Sequence, residues 1–223
     1  DGFPDVVGST SGGGSAVFLN QGDGTFGPPE SIGTGLNLVA NGFVDLNGDG
    51  KWDLVGVNVT TSGIKEGITL LGRGDGTFSD PSRLPGGFAP QSYRTIDLNG
   101  DGFVDLVTTY SLGARSGGIG VLLGDGRGGF GPLLTYDLGD APSITRIADL
   151  DRDGRLDIVG TISSATNGSS VFVLPGVGGR FGPARRYAPA SGFQIQDLVD
   201  INGDGVPDLL GGFADGNGGI GVL

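Results

Sequence analysis

Short apolar segments separated by polar, glycine-rich stretches run the length of the 223-residue chain. Each cycle holds four of them. Segment A covers residues 42–44, 94–96, 146–148 and 196–199. Segment B follows an acidic stretch, at 5–7, 53–57, 105–109, 157–161 and 208–210. A Gly/Ser/Asn-rich turn leads to segment C, at 15–19, 67–71, 120–123, 170–174 and 221–223. A tight turn then leads to segment D, which opens at Phe26, Phe78, Phe130 and Phe181. The segments are short, rich in β-branched and aromatic residues and bounded by glycine, which is strand chemistry. Near-continuous apolar runs in B and C predict strands covered on both faces. Six residues past each Phe stands Ile32, Leu84, Tyr136 or Tyr187. These are predicted to be core, because repeated apolar positions pack neighbours. No segment shows the period of an amphipathic helix.

The most regular feature lies between A and B. The run Asp45-Leu46-Asn47-Gly48-Asp49-Gly50-Lys51-Trp52-Asp53-Leu54 returns from Asp97, Asp149 and Asp200, with starts 52, 52 and 51 residues apart. Asp1 to Val6 matches its second half. Four short strands per unit of about 50 residues predict an all-β fold, a β-propeller of four-stranded blades with the acidic loop between strands A and B. About four to five blades are present in one array over 1–223: repeats at about 1–48, 49–100, 101–152 and 153–203, and a partial one at 204–223. The strand tally is B-C-D, three full sets, then A-B-C. The incomplete ends expose sheet edges, which proteins normally avoid. Flanking sequence, ring closure or end-to-end association would each cover them. The chain starts inside a motif with no Met and no signal peptide, so a mature fragment or an excised part of something longer is expected.

The loop pattern Asp-x-Asn/Asp-x-Asp-Gly-x-x-Asp places oxygen atoms at alternate positions, and a hard cation such as Ca²⁺ takes six to eight of them. In the first full loop the expected ligands are Asp45, Asn47 and Asp49, the Lys51 carbonyl and the closing carboxylate of Asp53. The second offers Asp97, Asn99, Asp101, the Phe103 carbonyl and Asp105. The third offers Asp149, Asp151, Asp153, the Arg155 carbonyl and Asp157, and the fourth Asp200, Asn202, Asp204, the Val206 carbonyl and Asp208. The remnant keeps Asp1 and Asp5. About four Ca²⁺ ions are therefore expected. The pattern is not an EF-hand: its twelfth positions are Gly56, Thr108, Gly160 and Gly211, where a bidentate Glu is needed. Mg²⁺ prefers to keep its waters and fits less well. The alternative is a set of Asx-turns with no ion. Four copies in register argue against it, since clustered carboxylates repel without a cation.

Charge follows the loops. They hold 15 of the 25 acidic residues, and four divalent ions would move the formal charge from −12 to about −4. No basic stripe exists, which disfavours nucleic acid and anionic membrane as partners. No apolar run approaches the roughly 18 residues of a membrane helix, so insertion is not expected. The chain has no Cys, so no disulfide, and no His, the commonest general base. Asn58-Val59-Thr60 and Asn167-Gly168-Ser169 fit the N-glycosylation sequon and agree with secretion.

The Phe-Gly-Pro turns, the Asp-Leu-Asn-Gly-Asp-Gly-x-x-Asp-Leu loops and the Gly-Asp-Gly-Thr-Phe turns together resemble FG-GAP/VCBS repeats. Such repeats occur in integrin α-subunit propellers, secreted bacterial repeat proteins and some fungal lectins. The resemblance implies a propeller, usually seven-bladed, with calcium in the A–B loops, so this array would form part of a larger ring. Arg152 departs from the pattern by replacing the glycine of Gly48, Gly100 and Gly203, while the same loop gains Asp151.

The resulting expectation is a secreted, calcium-stabilised binding or adhesion module, lectin-like, recognising a glycan or an extracellular protein, and not an enzyme. No nucleophile–base pair and no Gly-x-Ser-x-Gly is present, and the acids outside the loops (Glu30, Glu66, Asp80, Asp137, Asp140, Asp197, Asp215) are not paired by sequence. Two alternatives stand beside it: the propeller portion of a secreted polysaccharide-acting enzyme, and a structural repeat protein that self-associates through open terminal sheets. Trp52, the single Trp, is expected to pack and not to serve as a sugar platform. Arg73-Gly74-Asp75 spells a cell-attachment tripeptide but occupies a turn where the first repeat has Gln21-Gly22-Asp23, so an accidental match is the expectation.

Overall fold

The computed structural model describes residues 2–10, 14–87, 92–113, 116–140, 142–164, 168–187, 193–213 and 220–222. Asp1, Asn167, Asp215 and Leu223, named above, lie outside the described residues. The described chain is all-β. Its strands form five antiparallel sheets in which sequence neighbours pair.

The chain divides into two compact units. The first holds the described residues of 1–90, 102–104 and 124–132. It contains a three-stranded sheet, β1 (Val6–Ser9), β2 (Ser15–Phe18) and β3 (Glu30–Ile32). Its four-stranded sheet is β4 (Leu38–Val44), β5 (Asp53–Val59), β6 (Lys65–Leu70) and β7 (Ser82–Arg83). The core of this unit is Val17, Ile32, Leu38, Leu54, Ile68 and Leu70.

The second unit holds two four-stranded sheets. One is β8 (Ser92–Ile96), β9 (Asp105–Gly113), β10 (Ser116–Leu122) and β11 (Leu134–Asp137). The next is β12 (Pro142–Ala148), β13 (Asp157–Ser164), β14 (Gly168–Leu174) and β15 (Arg185–Tyr187). A three-stranded sheet follows, β16 (Phe193–Val199), β17 (Asp208–Phe213) and β18 (Ile220–Val222). The core of this unit centres on Val107, Ile119, Val121, Ile158, Phe172 and Leu174.

The tally of three, four, four, four and three strands is the A-to-D tally of the sequence. The B strands are the most buried, as their continuous apolar runs predict: in β5, Asp53 to Val57 are all buried. Two expectations need correction. Segment D does not begin at its Phe. Phe26, Phe78, Phe130 and Phe181 each form an isolated bridge, to Asn20, Gly72, Gly124 and Gly176, and the ladder resumes only beyond the following proline. Proline lacks the N–H that a continuous ladder requires. The D-strand positions are also not uniformly core. Ile32 and Leu84 are buried and Tyr136 stacks edge-on against Phe181 at 5.4 Å, but Tyr187 is 48% exposed.

Strand A runs longer than the apolar segment predicts and is bulged in three sheets, between Ala40 and Gly42, Ile144 and Arg146, and Ile195 and Asp197. A bulge re-aims the residues that follow it. After their bulges, Arg146 and Asp197 form an ion pair at 2.9 Å.

Candidate metal centres

Each acidic loop leaves a strand A, turns back within nine residues and enters a strand B at its closing Asp. The turn is built by its own side chains. In the first loop, Asp45 accepts the N–H groups of Gly48 (2.7 Å) and Asp49 (3.2 Å) on Oδ1 and of Gly50 (2.8 Å) on Oδ2. Asn47 accepts the Asp49 N–H at 3.1 Å, and Asp49 accepts the Lys51 N–H at 2.9 Å. That last bond holds the Asp49 carboxyl below its ordinary value.

The pattern recurs in the other loops. Asp97 accepts from Gly100 at 2.8 Å and Asn99 from Asp101 at 2.9 Å. Asp149 accepts from Gly154 at 2.9 Å and Asp153 from Arg155 at 2.9 Å. Asp200 accepts from Gly205 at 2.7 Å and Asp204 from Val206 at 2.7 Å. These bonds fold each loop back onto the carboxylate of its first position.

The third loop gives the clearest test of fit to a cation. Carboxylate oxygens of Asp149, Asp151 and Asp153 all lie within 4.8 Å of one another. Three mutually repelling carboxylates at that spacing suit a divalent cation, and an all-oxygen set suits a hard one. In the second and fourth loops an Asn takes the middle place, and its amide donates to the next carboxylate: Asn99 to Asp101 at 2.8 Å and Asn202 to Asp204 at 3.0 Å. These residues fit Ca²⁺, with Asp149, Asp151 and Asp153 the strongest donor cluster.

The closing Asp does something that spacing alone does not reveal. Its carboxylate reaches back across the loop and outward to strand C. Asp53 accepts the Leu46 N–H on Oδ2 (2.9 Å) and the Gly72 N–H on Oδ1 (2.7 Å). Asp157 does the same with Leu150 (2.9 Å) and Gly176 (2.6 Å). Asp105 accepts from Leu98 at 2.9 Å, Asp208 from Ile201 at 3.0 Å, and Asp5 from Asn20 at 2.9 Å. Asp53, Asp105 and Asp157 are buried. Burial pushes the Asp53 carboxyl up, against the pull of the Gly72 and Leu46 N–H groups. Asp157 is not among the three clustered carboxylates of its loop. The closing Asp is thus a clamp between loop, strand B and strand C, whatever else it ligates. A sequence signal exists: Asp53, Asp105 and Asp157 are each followed nineteen residues later by a glycine, Gly72, Gly124 and Gly176, and Asp5 is followed fifteen residues later by Asn20.

Other candidates separate cleanly. Trp52 is 69% exposed, which overturns the expectation that it packs. In the attachment-like tripeptide, Asp75 accepts the Thr77 hydroxyl (2.6 Å) and N–H (2.9 Å), bonds that lower its pKa, and Arg73 donates to the Phe78 carbonyl. Asp23 and Thr25 build the same turn without an Arg. Glu66 pairs with Arg83 at 3.3 Å, Asp197 with Arg146, and Asp137 accepts the Gly139 N–H at 2.7 Å. Glu30 and Asp80 instead line a cleft of about 350 Å³ in the first unit, with Ile32, Leu36, Phe78 and Pro81. No basic side chain lines it.

A search of curated proteins returns no match. Among the described residues no helix is long and apolar enough to cross a membrane. A family profile, that of the FG-GAP-like repeat, matches residues 1–56, 97–160 and 149–211. These matches span all four full acidic loops and cover most of the chain, which therefore belongs to the FG-GAP-like repeat family.

Proposed function

We propose that the chain is an extracellular binding or adhesion module, a set of propeller blades stabilised by about four Ca²⁺ ions, that recognises a glycan or a protein and carries no catalytic step. One observation carries the cation part: the Asp149, Asp151 and Asp153 carboxylates converge within 4.8 Å in a loop whose backbone is turned to gather them. Family membership supports the rest, since repeats of this kind are typical of extracellular ligand-binding proteins. Calcium is structural in this reading. It neutralises the loops and fixes each strand A to its strand B, and extracellular calcium saturates even weak oxygen sites.

The ligand surface lies outside the loops. The cleft lined by Glu30, Ile32, Thr34, Phe78, Asp80 and Pro81 combines apolar side chains with carboxylate and hydroxyl groups. That composition supports an uncharged polyol or a cationic group and disfavours nucleic acid.

The test has two arms. Thermal melts with calcium and with EDTA should differ by many degrees, because an ion at about 1,000 times its Kd contributes about 4 kcal/mol. Identical melts would remove the cation from the proposal. Glycan and protein arrays probed in calcium should return a ligand whose binding is lost in Asp80→Ala. Binding that ignores this substitution would place the ligand elsewhere.

A further inference from the structure

Arg152 occupies the fourth position of the third loop, where the other full loops have Gly48, Gly100 and Gly203 at φ of 73°, 77° and 77°. Arg152 adopts φ 61°, and it is the one non-glycine residue with positive φ among those described. A side chain held in that region persists where its surroundings hold it there. Here the holding contacts belong to the next loop. Arg152 Nε donates to the Gly205 carbonyl at 2.8 Å, and Nη2 to the Asp204 carbonyl at 2.7 Å.

Those two carbonyls belong to peptide units whose N–H ends are also taken. The Gly205 N–H goes to Asp200 Oδ2 at 2.7 Å, and the Val206 N–H to Asp204 Oδ1 at 2.7 Å. The Asp204–Val206 turn of the fourth loop is therefore held by its own carboxylates on one side and by the guanidinium fork on the other. Bonds in series of this kind polarise and reinforce one another. The approach needs glycine at 205, since a Cβ there would fall 1.6 Å from Arg152 Nη2. At the matching Gly50, Gly102 and Gly154 nothing lies within 4 Å.

We propose that Arg152 couples the third and fourth loops, so that a cation held in one raises the affinity of the other. The inference rests on the cation reading above. Arg152 sits between Asp151 and Asp153, so an ion held by those carboxylates fixes the turn that aims the guanidinium. The fixed guanidinium holds the Asp204 and Gly205 peptides, and with them the carboxylates of Asp200 and Asp204. By linkage the effect runs equally in reverse.

The sixth-position glycine amides, Gly50, Gly102, Gly154 and Gly205, provide one NMR reporter for each loop in a calcium titration. In the parent protein Gly154 and Gly205 should titrate together with a slope above one. In Arg152→Gly, which installs the residue the backbone conformation favours, the two curves should separate and the Gly205 midpoint should move to about fivefold higher calcium. Gly50 and Gly102 should not move. Arg152→Lys keeps the charge without the planar fork and should behave as Arg152→Gly does. Calcium-dependent shifts with unchanged Gly205 midpoints in both variants would overturn the coupling alone. Absence of calcium-dependent shifts in every loop would overturn the cation reading itself.

Discussion

Asp53 stands nineteen residues before Gly72 and accepts its N–H at 2.7 Å, joining the end of the acidic loop to the end of strand C. The other oxygen of the same carboxylate holds the Leu46 N–H. Both bonds are buried and neither involves a cation. Asp53→Ala should therefore cost about 2–5 kcal/mol, because two buried donors lose a charged acceptor. Asp53→Asn, with one acceptor oxygen, should cost less. Urea unfolding in EDTA measures both. An unchanged midpoint for Asp53→Ala would remove the clamp.

Gly72 is required by what lies against it. A Cβ there would stand 2.1 Å from the Trp52 carbonyl oxygen, and at Gly176 the Leu156 carbonyl would be 2.3 Å away. Overpacking against backbone cannot be relieved by a rotamer change, so Gly72→Ala and Gly176→Ala should each cost about 2–3 kcal/mol in chemical denaturation. The first repeat tolerates Asn20 at this place, where its amide donates to the Pro4 carbonyl at 3.0 Å. Asn20→Gly should stay within about 1 kcal/mol of the parent.

Asp151 should change sign with calcium. Without a cation it adds a third carboxylate to a cluster within 4.8 Å, and Asp151→Asn should raise the melting temperature by relieving repulsion. The new amide can also donate to Asp153, as Asn99 does to Asp101. With calcium the same substitution should lower the melting temperature, since a ligand charge is lost. Paired calorimetric scans in EDTA and in calcium check both signs.

Trp52 gives a local optical probe. It is the single Trp, it is 69% exposed, and it lies within the first loop beside Asp53. Its emission should change as calcium fills that loop. The change should vanish in Asp45→Ala and survive in Asp149→Ala. A fluorescence titration of the three proteins decides it.

Burial pushes the Tyr93 hydroxyl up to about 12. The unfolded chain loses that proton near pH 10, so between pH 10 and 12 the folded state binds more protons than the unfolded one. Stability from this group is then complete below pH 10 and falls as pH rises toward 12. Tyr93→Phe should flatten that part of the curve, as measured by urea midpoints at stepped pH.

Much of this was legible in the chain. The strand tally came from apolar segments recurring about every 50 residues, because a short strand and its turn are specified by neighbouring residues. The loops were legible for the same reason: Asp45 and Gly48, or Asp49 and Lys51, meet within a few residues. The start of strand D differs from the expectation, because the bridge at Phe26 or Phe78 depends on which partner lies opposite and the following proline interrupts the ladder.

Sequence by itself determined the all-β repeat, the position of every acidic loop and the oxygen chemistry it offers, all of which rest on contacts within a turn. Tertiary structure decided what reaches beyond the turn. It made Asp53 and Asp157 clamps to strand C, exposed Trp52 and Tyr187, and brought Glu30 and Asp80 to one cleft. It also sent Arg152, which the sequence marked only as an irregular residue, to carbonyls about fifty residues away. The physical reason is range. A local hydrogen bond follows from spacing along the chain, whereas a bond across sheets exists only once packing has set two backbones side by side.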